Sequence, residues 1–238
     1  MEKIIKFGII GDGKMGKMIE SLMDEKSTWE FLDYTKPLAN NDYDILLDVS
    51  HPDNLEKIIE LEKEKPIPIC IATTGYNEEQ LKQIENLSKT TPVLFSSNYS
   101  LGVNLLNKLL EIATPVLMEG FDIEIIEMHH NQKVDAPSGT AKTLFNTIKK
   151  FDDFKEVDGR VGFSKRSEKE IGMHALRGGT VAGKHSVIYA GEDELITISH
   201  EATSRKIFAK GMIKGANWLY NKPNGLYDMN DVLFKGGK

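Results

Sequence analysis

A single cysteine, Cys70, is all the thiol this chain holds, and it lies inside the apolar run 67–72. A disulfide framework and a thiolate metal cluster are therefore excluded, and Cys70 reads as a buried structural thiol rather than a nucleophile. No apolar stretch approaches the roughly 20 residues needed to span a bilayer, and the chain opens into a short strand rather than an apolar signal segment. Residence in the cytoplasm, away from membrane, is the expectation. Positive charge is not in excess either: 30 Lys and Arg stand against 36 Asp and Glu, a formal net charge of −6. That balance disfavours phosphate-backbone binding, so nucleic acid is not an expected partner. Internal repeats and low-complexity segments are also missing. What remains, with 40% apolar residues in 238, is a globular chain able to bury a substantial core in one large domain or two modest ones.

The apolar pattern supplies the organisation. Residues 3–10 form a β-rich run that breaks into Gly11, and Met15, Met18, Ile19, Leu22 and Met23 then recur at helical spacing. Strands are predicted at 29–34, 43–49, 68–72 and 93–96. Helices are predicted around Leu55, Ile58, Ile59 and Glu62 and across 78–87, with a Pro/Asn-rich connection before the second of the later strands. Alternating strands and helices argue for a parallel, doubly wound sheet. The pattern then changes. A longer helix is marked by Val103, Leu106, Leu110, Ala113 and Leu117, a strand by Ile123 and Ile125, and a further helix by Ala141, Leu144, Phe145 and Ile148. Runs 185–190 and 195–201 flank the turn 191–194 as an antiparallel hairpin. We therefore expect a first domain over 1–100, completed by 205–238, and a second α+β domain over 101–204. Gly211, Gly215 and Ala216 would let the last helix approach the first domain closely.

Gly11, Asp12, Gly13, Lys14, Met15 and Gly16 follow a strand and open a helix, the context in which a glycine loop binds a dinucleotide. The glycines allow a tight turn, close approach of backbone to a pyrophosphate, and close helix packing. Asp33 falls where an acid at the end of the second strand would accept a bond from a ribose hydroxyl. Lys14 and Lys36 would instead favour a 2′-phosphate, so the residues leave NADH and NADPH both open. Two more strand ends, at Asp48, Ser50 and His51 and at Ala72, Thr73 and Thr74, are expected on the same sheet edge. Ser97, Asn98, Tyr99 and Ser100 stand where the first domain hands over to the second. For these, turn and capping chemistry is an equal reading.

The densest chemistry lies in residues 127–140, which carry His129, His130, Lys133 and a helix opening at Ser138, Gly139 and Thr140. Neighbours on a strand point to opposite faces, so His129 and His130 make poor joint ligands and no metal is expected. Histidine suits proton transfer near neutral pH, and Lys133 is close enough to supply a charge or a proton to the same pocket. The helix start offers backbone amides to a substrate carboxylate. The glycine-rich segment 177–185, with Arg177 and His185, reads mainly as turn residues before the hairpin.

On these residues the chain resembles the 4-hydroxy-tetrahydrodipicolinate reductase (dihydrodipicolinate reductase) family. The resemblance runs through the glycine loop, Ala72 to Gly75, Ser97 to Asn104, Glu127 to His130, Lys133 to Ala141, Arg177 to Gly179 and Gly225 to Met229. The His-His-x-x-Lys-x-Asp-Ala-Pro-Ser-Gly-Thr element is its most specific part. The resemblance implies a Rossmann-type N-terminal domain and a second α+β substrate and oligomerisation domain containing a mixed open sheet. It also implies reduction of a cyclic dicarboxylate by NADH or NADPH in the diaminopimelate route to lysine, in a homotetramer. By position it implies His129 as the general acid/base and Lys133 as the proton donor. Substrate would be held by His130, Ser138, Gly139 and Thr140, and cofactor by residues 11–16, Asp33, Ala72 to Thr74 and Ser96 to Tyr99. The glycine loop is one residue shorter than the common family form, with Lys14 where arginine is frequent, and the stretch between the first helix and Asp48 is abbreviated.

Overall fold

A computed structural model describes residues 4–36, 38 and 42–235. In chain order the regular elements are β1 (Ile5–Ile10), α1 (Lys14–Glu20), β2 (Ser27–Leu32), β3 (Ile45–Asp48), α2 (Leu55–Glu64), β4 (Ile69–Ile71), α3 (Glu78–Leu87) and β5 (Pro92–Phe95). There follow α4 (Leu101–Leu117), β6 (Asp122–His129), α5 (Gly139–Lys149), β7 (Lys155–Asp158), β8 (Glu170–Arg177), β9 (Gly183–Ala190), β10 (Leu195–Ala202), α6 (Lys206–Leu219) and β11 (Gly225–Tyr227). The chain divides into two compact units, one of residues 1–101 with 206–238 and one of residues 102–205.

The first unit is a six-stranded parallel sheet in the order β11-β5-β4-β3-β1-β2. Its central strands read as unbroken apolar runs because both faces are covered. Ile45, Leu47, Cys70 and Leu94 pack on one face with Ile19 of α1 and Ala209, Met212, Ala216 and Leu219 of α6. Leu46, Ile69, Ile71 and Val93 pack on the other with Leu55, Ile58 and Leu61 of α2 and Ile84 of α3. Each fully buried Ile or Leu contributes about 1.5–3 kcal/mol. The chain passes from β1 to β2 on one side and returns to β3 on the other, so the switch point lies at the carboxyl ends of β1 and β3. The glycine loop stands there.

The second unit is a five-stranded mixed sheet, β10-β9-β6-β8-β7, in which β6, β7 and β8 run parallel and β9 is antiparallel to both β6 and β10. Strict alternation governs β6: Ile123, Ile125, Glu127 and His129 are buried, while the residues between them are half-buried. The first two meet Leu106 and Leu110 of α4 and Ala141, Leu144 and Ile148 of α5. The same row then turns from apolar to ionisable at the strand's carboxyl end, which is where the site forms.

Several boundaries differ from expectation. The strand drawn from Lys3 begins at Ile5, with Lys3 outside the described residues; α1 ends at Glu20, leaving Leu22 and Met23 in the turn beyond, still packed on the core. The second strand is Ser27–Leu32 rather than 29–34, and the later strands of this sheet are shorter or shifted by a residue or two. Part of the Pro/Asn-rich connection, residues 37 and 39–41, lies outside the described residues. The sequence reading omitted β7, β8 and β11. β7 is largely exposed and short, and β8 carries Glu170, His174 and Arg177, whose polarity hides its period.

Close approach by α6 depends on its small residues. A Cβ on Gly211 would lie 1.7 Å from the Tyr99 carbonyl oxygen, a backbone atom with no room to yield. Gly211→Ala is therefore expected to destabilise the first unit by about 1–3 kcal/mol. Denaturant unfolding followed by tryptophan fluorescence reads this unit, since Trp29 and Trp218 both belong to it. An unchanged midpoint would refute the close packing.

Candidate active site

Glu127 is fully buried, yet four donors surround its carboxylate. Arg177 at the end of β8 forms a two-pronged contact, Nη1 to Oε2 at 2.9 Å and Nη2 to Oε1 at 2.7 Å. Nδ1 of His129 lies 2.6 Å from Oε2, and the Ser138 amide donates to Oε1 at 3.1 Å. Burial raises the affinity of this carboxyl for a proton, but the bonds from Arg177 and His129 outweigh it and hold Glu127 below the usual glutamate range. Arg177 also donates to the carbonyls of Leu176 and Asp135, tying β8 to the loop between Lys133 and α5.

His129 ends β6 with its ring edge-on to that of His185, centroids 5.1 Å apart. A Cβ on Gly183 would lie 3.0 Å from His129 Nε2, so glycine there leaves that nitrogen uncovered. Lys133 places Nζ 2.7 Å from Asp135 Oδ1 and keeps its side chain mostly covered. An ammonium with three donors retains capacity for a ligand beside that carboxylate. His130 leaves the strand on the other side; its Nε2 accepts from Arg205 at 2.8 Å. Burial and then the Arg205 charge hold His130 below the usual histidine value.

The α5 start is built around Ser138. Its hydroxyl accepts from the Ala141 amide at 3.2 Å and lies 3.0 Å from His185 Nε2, and the residue is 2% exposed. Ser138, expected to bind substrate, thus has its hydroxyl and its amide engaged inside the protein. Next to it Gly139 is exposed, with open space where a Cβ would stand, and Thr140 is half-buried, in a first turn free of acidic side chains.

In the first unit Gly11 adopts φ +108°, and a Cβ on Gly16 would lie 1.9 Å from the Gly11 carbonyl oxygen. Both glycines are required by the backbone. Gly13 differs: a Cβ there would meet nothing within 4 Å, and as N-cap of α1 it supplies no side-chain cap. Lys14 is exposed and Met15 half-buried against the core. Asp12 accepts from the Tyr34 hydroxyl at 2.9 Å. Asp33 is exposed beyond β2, held down to about 2 by bonds from Thr35 and Lys36, whose Nζ lies 3.0 Å away. At the neighbouring strand ends, buried Asp48 accepts from the Ser50 amide and hydroxyl and from the Tyr76 hydroxyl, and Thr73 accepts from the Ser50 amide. Ala72 is half-buried and Thr74 exposed. Ser96 donates to the Asn98 carbonyl, while Ser97 is exposed. Tyr99 does not present its side chain: it is 3% exposed, and its hydroxyl is bonded to the carbonyls of Ile71 and Leu94.

Sequence reasoning missed two participants. Arg177, taken mainly as a turn residue, is the partner of a buried carboxylate, and Glu127 had no assigned role. The signal present was the alternation of β6, which puts Glu127 on the same face as His129. Among the described residues no group of three or more His, Cys, Asp or Glu is placed to hold a metal ion, and no helix is long and apolar enough to cross a membrane.

Comparison with known proteins accords with this arrangement. The family model described as "Dihydrodipicolinate reductase, N-terminus" matches residues 28–99, and "Dihydrodipicolinate reductase, C-terminus" matches residues 102–233. The chain is 44% identical to a 4-hydroxy-tetrahydrodipicolinate reductase of Clostridium novyi (strain NT), covering 98% of each, and 44% identical to one of Brachyspira hyodysenteriae, covering 96% of this chain and 100% of that one. Among solved structures, dipicolinate-bound dihydrodipicolinate reductase from Paenisporosarcina sp. TG-14 superposes with a TM-score of 0.77 at 24% identity, over 94% of this chain and 97% of that one.

The site carries its own pH signature. Burial, followed by the charge of His129, depresses His185 from 6.5 to about 4. The unfolded chain therefore binds a proton between those values that the folded unit refuses, and stability falls as pH drops from 6.5 towards 4, by up to roughly 3 kcal/mol. Amide hydrogen exchange of β9, corrected for intrinsic rates, should show this loss, and His185→Gln should flatten it. An equal slope in the variant would remove His185 as its cause.

Proposed function

Because the chain belongs to the dihydrodipicolinate reductase family, we infer that it reduces 4-hydroxy-2,3,4,5-tetrahydrodipicolinate to tetrahydrodipicolinate with a reduced nicotinamide dinucleotide, a step of the diaminopimelate route to lysine. The observation that carries the reading is the end of β6, where a buried apolar row becomes Glu127 and His129, with Lys133 and the Ser138-capped start of α5 close by in sequence. The turnover takes up one hydride and one proton and releases the substrate hydroxyl as water. When bound, the reduced nicotinamide supplies the hydride.

The glycine loop fits that group. Gly11 and Gly16 permit the tight turn, and the open space at Gly13 is the approach a pyrophosphate needs to reach backbone amides. Asp12 and the exposed Lys14 flank this approach, and Asp33 accepts from a ribose hydroxyl. Ala72, Thr73, Thr74 and the Ser96 to Asn98 turn line the neighbouring strand ends, with Tyr99 acting only through its backbone.

In the second unit, the Gly139 and Thr140 amides receive one substrate carboxylate, aided by the positive end of the 11-residue helix α5. His130 and Lys133 add polar contacts to the same ring. His129 exchanges a proton through Nε2, the nitrogen left uncovered at Gly183, and Lys133 delivers one from Nζ. The same reading carries assembly into a homotetramer and residence in the cytoplasm.

Steady-state kinetics with enzymatically made hydroxy-tetrahydrodipicolinate test the assignment. The protein should consume reduced nucleotide, and His129→Gln with Lys133→Met should lower kcat by about 10²–10⁴-fold while leaving nucleotide affinity unchanged. Absence of turnover with either nucleotide, or an undiminished rate in the double variant, would overturn it.

We propose that both NADH and NADPH are accepted, since Asp33 favours a free ribose and Lys36 beside it favours a 2′-phosphate. Asp33→Ala should shift relative affinity towards NADPH about tenfold, equivalent to ~1.4 kcal/mol. Gly13→Ala should weaken both nucleotides without moving the unfolding midpoint. Titration calorimetry distinguishes these effects, and an unchanged nucleotide ratio in Asp33→Ala would remove Asp33 from the ribose site.

A further inference from the structure

We propose that Glu127 and Arg177 are positioning residues that fix His129 in a single tautomer, with the proton on Nδ1 and the lone pair on Nε2, and hold the α5 start in register with it. The inference rests on the reading of His129 as the acid/base group. Its basis is a count of donors and acceptors. An ionised carboxylate only accepts, with about four lone-pair sites on its two oxygens. On Glu127, Oε1 takes Arg177 Nη2 and the Ser138 amide, while Oε2 takes Arg177 Nη1 and His129 Nδ1. Arg177 cannot give up its proton, so the carboxylate beside it stays charged. Nδ1, 2.6 Å from Oε2, must then be the donor, and Nε2 is the only ring nitrogen left to exchange a proton with substrate.

The surroundings support this orientation. Gly183 is the residue whose missing Cβ leaves Nε2 open, so the nitrogen freed by the tautomer is also the one that the fold uncovers. His185 stands edge-on to the ring and turns its own Nε2 towards Ser138, not towards His129 Nδ1. The Ser138 amide bond extends the effect, because the carboxylate that orients the imidazole also anchors the residue that caps α5. The proton-exchanging atom and the proposed carboxylate cradle are thereby fixed to one point. Arg177 adds a third attachment through the Asp135 carbonyl, next to the carboxylate that meets Lys133.

The test uses the full chain with ¹⁵N-labelled histidine. Long-range ¹H–¹⁵N correlation, at a pH where the ring is neutral and with His129→Gln to assign the signal, should show His129 as the Nδ1–H form. Glu127→Gln with Arg177→Met removes the buried carboxylate together with its partly covered counter-charge at similar volume, which protects folding. In that variant the ring should revert towards the commoner Nε2–H form. Its kcat should fall about 10–100-fold, with nucleotide affinity unchanged. An Nε2–H ring in the unaltered protein would overturn the proposal even if no variant folds. So would a double variant that keeps kcat within about threefold of the unaltered rate. A lack of turnover in the unaltered protein would instead sink the functional reading, leaving the tautomer measurement to decide the positioning role by itself.

Discussion

A carboxylate buried without solvent is tolerated only when its oxygens are filled, and the second unit is arranged around filling those of Glu127. Removing such a charge from water costs several kcal/mol, and a well-packed apolar group in its place is often no less stable. Stability therefore does not explain it. What the carboxylate does is join segments distant in sequence: β6 through His129, β8 through Arg177, and the α5 start through the Ser138 amide. If Glu127 alone were removed, Arg177 would remain as a partly covered cation with no counter-charge, which is why the two residues behave as one unit.

The sheet makes this possible by alternation. Ile123 and Ile125 seat β6 against α4 and α5, and the same period carries Glu127 and His129 onto that face at the strand's carboxyl end. A shift of register by one residue would place Glu124, Ile126 and Met128 inward and expose the whole set. Parallel pairing with β8 sets His129 opposite Arg177, and antiparallel pairing with β9 sets Glu127 opposite His185. The polar residues thus meet because three strands end their apolar rows at the same level.

That geometry also explains what the sequence made legible. His129, His130, Lys133 and the α5 start lie within a few residues of one another, so their grouping is visible without a fold. The glycine loop is visible for the same reason, being a strand, turn and helix in direct succession. Arg177 is 50 residues from Glu127, and only the pairing of β6 with β8 brings them together. β8 itself was obscured because its polar positions break the apolar period. Tyr99 shows the opposite case, in which the side chain is turned away from the surface. Its place beside Ser96 and Asn98 suggested a ligand contact, but an aromatic ring at a strand end is worth more in the core, where its hydroxyl finds two carbonyls.

The two helix starts separate the proposed ligands by their chemistry. At α5 the Ser138 side chain already satisfies the Ala141 amide, with open space beside Gly139 for the proposed carboxylate. At α1 the N-cap is Gly13, which contributes no side chain and leaves space for an anion to approach the backbone directly. A pyrophosphate brings more oxygens and more charge than a carboxylate, and a cap without a side chain leaves it more of the backbone amides. A serine at position 13 would cap the helix from within and occupy the same amides. A glycine at position 138 would release an amide but lose both the cap and the link to His185. The choice of capping residue at each helix thus matches the anion it is proposed to receive.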